Sequence, residues 1–153
     1  MSTMEQIEIL MSEVGPVLAP LAIDAIVAEQ SWGISMEDNL TVIVQFDENK
    51  NCLVLTSELG LPPAGDRTAL YELLLQVNYH WDTTGGNRMA LNGPDGEVVQ
   101  MFEISTDGLD AIRLSAILYS FADASKAWRE IIQRPAAALE STLGFHSNLG
   151  TQV

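Results

Sequence analysis

Residues 66–86 read DRTALYELLLQVNYHWDTTGG. Asp66 stands where a helix needs an N-cap, the spacing predicts a helix from Arg67 to about Trp81, and Thr83, Thr84, Gly85 and Gly86 stop it. Leu70, Leu73, Leu74 and Val77 make the expected core stripe, while Ala69, Tyr71, Leu75, Tyr79 and Trp81 carry apolar surface well around the circumference. A helix apolar on most sides in so small a domain needs a second surface to bury against. Either a neighbouring sheet and helix cover all of it, or another copy of the same chain does. At roughly 1.5–3 kcal/mol per fully buried aliphatic side chain, even three such residues can support a dimer, although association costs consume part of that.

Upstream, Leu40, Val42, Val44 and Phe46 alternate with Thr41, Ile43, Gln45 and Asp47, the period of a strand, and strand signals begin already around Trp32 to Met36. The polar run from Asp47 to Asn51 is a turn and Cys52 to Ser57 resumes the strand pattern, so an antiparallel hairpin is the economical reading. Gly60, Pro62, Pro63 and Gly65 close this region as a loop. At the start of the chain, Ser2 and Glu5 form a possible capping box, and Ile7, Leu10, Met11 and Val14 fall on one face of a first helix, which Gly15 and Pro16 interrupt. Val17 to Gln30, with Pro20 inside it, reads as either a second helical piece or an extended stretch.

Downstream, Arg88 to Leu91, the turn from Asn92 to Gly96, and Glu97 to Ile104 make a second hairpin. Thr106 and Asp107 can cap a last helix carrying Leu109, Ile112, Ala116, Ile117, Phe121, Ala124, Trp128, Ile131 and Ile132, ending by Pro135. The expected fold class is α+β: helix, three-strand region, helix, β-hairpin and helix, with a twisted antiparallel sheet packed with helices. Residues 1–135 are expected to form a single domain, and residues 136–153, with Leu139, Leu143 and Phe145 as anchors, a partly flexible C-terminal extension.

The chain has 153 residues, of which 47% are hydrophobic, against a formal net charge of -14. That composition folds. Seven Lys and Arg against 21 Asp and Glu leave no basic stripe for phosphates, so nucleic acid and anionic membrane surfaces are not expected partners. The acidity serves solubility or partner choice, and composition alone does not decide between them. Cys52 is alone and cannot form an internal disulfide, which fits a reducing cytoplasm. Glu5 and Glu8 stand where a signal peptide needs basic residues, and no apolar run approaches the length of a membrane span.

Sites of chemistry find little support. Asp47, Asn49, Asn51 and Glu58 match positions of a calcium-loop template, but Cys52 occupies the place of its obligatory glycine and a strand pattern follows. His80 and His146 are far apart in sequence and lack metal-ligand spacing. Cys52 has no cationic neighbour to activate it, Ser115 and Ser120 lack a nucleophile elbow, and Gly85 and Gly86 precede a strand rather than a helix. No catalytic residue, cofactor or metal is expected.

The order of elements, the Leu59-Gly60-Leu61-Pro62 run, the Leu-rich helix leading through Asn78 to Thr84-Gly85-Gly86, Met89-Ala90-Leu91 before a Gly-containing turn, and Phe121, Asp123, Ala124 and Trp128 in the last helix resemble the Tir-chaperone (CesT-like) family of class I type III secretion chaperones. The resemblance covers roughly Trp32 to Gln133. Departures are Pro16 and Pro20 where the family's first helix runs unbroken, a long stretch from Asp24 to Asp38, and Asn92 where the family commonly has Asp. The resemblance implies a non-enzymatic homodimer that binds the N-terminal segment of a secreted effector in extended form, without ATP. It implies a dimer contact on the middle helix, here Leu70, Leu73, Leu74, Val77 and Trp81. It also implies apolar partner-binding grooves on helix one, here Ile7, Leu10, Met11 and Val14, on the first sheet region, here Val42, Val44, Phe46, Leu53 and Leu55, and on the last helix, with an edge strand accepting a partner strand. The alternative is an adaptor of the same fold that binds a folded protein.

Overall fold

The computed structural model describes residues 2–19, 22–65 and 67–134. The expected cap at Asp66, the helix breaker Pro20 and the extension at 136–153 lie outside them. The elements are α1 (Met4–Leu18), β1 (Ala22–Ile26), a 3-10 turn (Val27–Glu29), β2 (Ser31–Ser35), β3 (Thr41–Asp47), β4 (Cys52–Gly60), α2 (Thr68–Tyr79), β5 (Arg88–Leu91), β6 (Val98–Ser105) and α3 (Ala111–Ile132). The α+β class and the order of elements are as the sequence predicts, with one strand more.

Helix α1 starts one residue later than its first candidate cap. Thr3 accepts the Gln6 N–H at 3.3 Å and Gln6 returns the bond by accepting the Thr3 N–H at 3.0 Å, a complete capping box. Ser2 instead donates its N–H to Asn51 at 2.8 Å. Pro16 does not end the helix, which runs on to Leu18 and closes on Ala19 in the left-handed region. Near a C-terminus Pro removes one ladder bond, and burying Val14 and Leu18 on the sheet outweighs that loss.

The ambiguous stretch after α1 is extended, and its β1 pairs antiparallel with β2, Ile23 opposite Ile34 and Ala25 opposite Trp32. The sheet has six strands in the order β1-β2-β3-β4-β6-β5. Each neighbouring pair is antiparallel, and both expected hairpins form. Thr106 and Asp107 do not cap α3. Thr106 donates from both its N–H and its hydroxyl to Asn51 O, and Asp107 accepts from the Asn51 side chain at 2.8 Å, tying the β6 end to the β3–β4 turn. Asp110 is the cap, accepting the Arg113 N–H at 2.8 Å.

Register puts Trp32, Val44, Leu55 and Phe102 in one row across the sheet, and Phe46, Leu53 and Ile104 in the next. These side chains face α1 and α3 and form the main core with Ile7, Leu10, Met11, Val14, Leu114 and Leu118. A second core joins Leu70, Leu73, Leu74 and Val77 of α2 to Leu59, Met89, Val98 and Ile132. Gln100 is fully buried on the same face, donating to Phe121 O at 3.2 Å and accepting from the Ser125 hydroxyl at 3.3 Å. On the opposite face Thr41, Gln45, Glu58 and Glu103 are exposed.

Candidate partner and dimer surfaces

Helix α2 divides its apolar surface in two. Leu70, Leu73, Leu74 and Val77 are at most 6% exposed and pack inside the subunit, so they have almost no area left to lose on association. Leu75, Tyr79 and Trp81 are 70%, 79% and 67% exposed. Leu75 and Tyr79 lie one turn apart on the outer face, Trp81 follows in the turn after α2, and Tyr79 meets the His80 ring edge-on with centroids 5.1 Å apart. Of the five residues assigned to a dimer contact from sequence, Trp81 alone is on this outer surface. Leu75 and Tyr79 are the second half of the over-apolar pattern, while Leu70, Leu73, Leu74 and Val77 are the half that the core of the subunit buries.

The residues expected to touch a partner are likewise interior. Ile7, Leu10, Met11 and Val14 of α1, Val42, Val44 and Phe46 of β3, and Leu53 and Leu55 of β4 all belong to the main core. Their task within the subunit is to hold α1 and α3 on the sheet. What these elements show to solvent is different: Ile9 and Val17 on α1 and Ile26 on β1 are exposed. Strict period reading finds the buried face first, and an apolar residue off that face carries no periodic signal of its own.

The two sheet edges differ. β5 lies beside α2, whose Asn78 hydrogen-bonds to the main chain of Met89. β1 is the terminal strand on the other side, with Ala22, Asp24, Ala25 and Ile26 exposed. A terminal strand offers a row of main-chain N–H and C=O groups that another extended segment can pair with.

Grooves lie on either side of α3. One of about 350 Å³ has Phe102, Ile117 and Phe121 as its apolar lining and Thr84, Asn87, Arg113 and Ser120 as its polar lining. A second, of about 270 Å³, lies between the end of α1 and α3, where Tyr119 donates to Leu18 O at 2.8 Å and Met36, Ala122 and Lys126 complete the walls. Neither gathers a nucleophile with a base.

Elsewhere the polar residues have structural work. Asp47 accepts the N–H groups of Asn49 and Lys50, both at 3.1 Å, so the residues that matched a calcium template fold a hairpin turn. Burial first, then the nearby carboxylates of Glu103 and Asp47, pushes the Cys52 thiol above its ordinary value, the opposite of activation. Among the described residues no three His, Cys, Asp or Glu side chains are placed to hold a metal ion, and no helix is long and apolar enough to cross a membrane.

Among the described residues the sheet is backed by helices on one face, ends in β1 on one side, and carries an exposed apolar surface on α2 and grooves beside α3. Residues 19–129 match the model of the Tir chaperone protein (CesT) family, most of the chain's length, and the chain belongs to that family, one of chaperones and not of enzymes. Three solved structures share the fold. A chain in the crystal structure of the ExsC–ExsE complex matches with a TM-score of 0.72 at 15% identity, covering 87% of this chain and 98% of its own length. One in the HopA1–SchA chaperone–effector complex matches at 0.66 and 15%, covering 81% and 93%. One in the structure of the Yersinia pestis type III secretion chaperone SycH with a stable fragment of YscM2 matches at 0.59 and 19%, covering 77% and 95%. Among curated protein sequences none is recognisably similar.

Proposed function

We propose that this protein is a cytoplasmic homodimeric chaperone that holds the N-terminal segment of a type III secreted effector in extended form and keeps it competent for secretion. Membership of the Tir chaperone family supports the general role. The observation that carries the binding mode is that β1 is a terminal strand of the sheet among the described residues, with exposed Ile26 on it, while Ile9 and Val17 are exposed on α1. Edge pairing would supply main-chain hydrogen bonds common to any sequence, and the apolar side chains would supply selectivity. The structures of similar fold support the same reading, since one is a chaperone–effector complex and another a secretion chaperone with a fragment of a second protein.

The dimer would use the outer surface of α2, where Leu75, Tyr79 and Trp81 leave aromatic and aliphatic area in water that a second copy would cover. Leu70, Leu73, Leu74 and Val77 would shape that contact from below by fixing the helix. The purified chain mixed with N-terminal peptides of candidate effectors should give a complex of two chaperone chains per peptide by light scattering. A monodisperse monomer that ignores every such peptide overturns the proposal, and capture of a folded protein in place of the peptides favours the adaptor.

A further inference from the structure

One hollow on this surface differs from its neighbours in charge. The groove of about 350 Å³ beside α3 has Arg113 in its wall and no carboxylate, although the chain carries 21 Asp and Glu against 7 Lys and Arg. Four other hollows each have at least one acid in the wall: Glu58, Glu37 with Asp123, Asp95, and Asp47 with Glu48. Arg113 is exposed, and among the described residues no carboxylate stands within ion-pair distance of it. An unpaired cation in a concave, largely apolar site attracts an outside carboxylate that the rest of so acidic a surface repels.

The charged and apolar parts of this groove belong to one continuous lining. Arg113, Ile117 and Ser120 follow one another on α3 at spacings of four and three, which puts them on one face of the helix. Phe102 of β6 and Phe121 complete the apolar lining, and Thr84 and Asn87 come from the loop after α2. That loop approaches the Phe102 ring closely because Gly86, at φ 92, has no side chain, and a Cβ there would come within 3.2 Å of Phe102 Cε2. The loop is tied to α3 through Gln100, whose Nε2 donates to Asn87 Oδ1 at 3.4 Å and to Phe121 O at 3.2 Å. The groove is therefore formed before any ligand arrives.

We infer that this groove receives an acidic, apolar stretch of the client: an extended segment in which Glu or Asp stands two residues from Leu, Met or Phe. The carboxylate pairs with Arg113 and the apolar side chain packs on Phe102 and Ile117. Alternate residues of an extended strand lie about 6–7 Å apart on one face, and Arg113 and Ile117 are about 6 Å apart along the helix axis, so the spacing fits a segment lying along α3. The inference rests on the proposed chaperone reading and narrows the client it accepts.

The test titrates the full chain, labelled with nitrogen-15, with three short peptides that differ at one position, their cores being Glu-Ser-Leu, Gln-Ser-Leu and Lys-Ser-Leu. Amide resonances should move at Thr84, Gly85, Asn87 and from Arg113 to Phe121. In about 0.1 M salt the Glu peptide should bind about fivefold tighter than the Gln peptide and about tenfold tighter than the Lys peptide. The net charge of -14 alone ranks the three in the reverse order, so this result requires a local cation. The advantage should nearly vanish in about 1 M salt, where the screening length falls to about 3 Å. R113Q should level the Glu and Gln peptides, and R113E should put the Lys peptide first, both with unchanged circular dichroism because Arg113 is exposed. A116W, at an exposed position of the lining, should fill the groove and weaken all three peptides.

Equal binding of the Glu and Gln peptides overturns the acidic client, as does a ranking that R113E leaves unchanged. Resonances that move only on other surfaces overturn the site. Groove resonances that follow protein concentration and ignore peptide overturn it too, since a second copy of the chain is then the occupant. A folded chain that binds none of the three peptides also overturns it, while the chaperone reading is decided separately by the effector peptides and the number of chains per complex.

Discussion

The carboxamide of Asn78 on α2 clasps the main chain of Met89 on β5, its Nδ2 donating to Met89 O at 2.9 Å and its Oδ1 accepting the Met89 N–H at 2.8 Å. Met89 lies opposite Gln100 of β6, and a strand residue whose N–H and C=O both go elsewhere points them away from that neighbour. The side chain therefore stands where the next strand would add. At Met89 the β5 edge is therefore occupied by a side chain of α2.

Asn78→Ala should lower the stability of the protein by about 1–3 kcal/mol, the sum of two bonds of about 0.5–1.5 kcal/mol each, read as a shift of the urea midpoint at constant slope. Asn78→Asp should do no better, because a carboxylate keeps the acceptor for Met89 N–H but sets an oxygen against Met89 O. An unchanged midpoint for both would show that the clasp adds nothing to stability.

Position on α2 should separate folding from association. Leu74→Asp places a charge in the second core and should unfold the chain, visible as loss of the far-ultraviolet circular dichroism signal. Tyr79→Asp alters an exposed side chain and should leave that signal intact while shifting light-scattering mass from dimer to monomer. Tyr79→Asp with unchanged dimer mass would move the interface off this surface.

The buried hydroxyls should behave in two ways. The side-chain oxygens of Ser57 and Ser115 find no hydrogen-bond partner among the described residues, so alanine at either should be neutral or stabilising by up to about 1 kcal/mol. The single hydroxyl proton of Ser125 is shared between Phe121 O at 2.9 Å and Gln100 Oε1 at 3.3 Å, so Ser125→Ala should be destabilising by about 1 kcal/mol. Thermal melts of the three variants, made in parallel, give the comparison.

Glu97 is held above the ordinary carboxylate value, first by a side-chain hydrogen bond with Glu58, then by repulsion from its charge, with slight desolvation last. The folded state then keeps a proton that the unfolded chain releases, so stability falls as pH rises from the unfolded value of 4.5 through the raised folded one. Glu97→Gln should raise the melting temperature at pH 7 and have a smaller effect near pH 4, where the Glu97 carboxyl keeps its proton. A constant difference at every pH would remove the pair from the account.

Where local pattern and tertiary environment agree, the fold was legible. The strand alternation from Leu40 to Phe46, the polar turn at Asp47 to Asn51 and the glycine-bearing turn before Glu97 each fix a hairpin by local rules. β1 was not legible, because Ala22 to Ile26 has no alternation matching its burial, and an edge strand needs none. The caps of α1 and α3 were misread by one and by a few residues, since several side chains near each end were chemically able to cap and only packing chose among them. The site was less legible than the fold: the apolar residues expected at partner grooves, from Ile7 through Leu55, are buried in the main core, and periodicity alone does not say which apolar side chains stay in water.

The sequence by itself determined that the chain folds as α+β, that it is acidic, that its central helix carries more apolar surface than one face can hold, and which family its ordered motifs resemble. Local periodicity and composition are enough for these, because each depends on neighbours along the chain. Only the tertiary structure decided which apolar residues remain in water: Leu75 and Tyr79 rather than Leu70 and Leu73, and Ile9 rather than Ile7. Burial is set by what packs across space, and a linear pattern gives the faces of an element without saying which one its neighbours will cover.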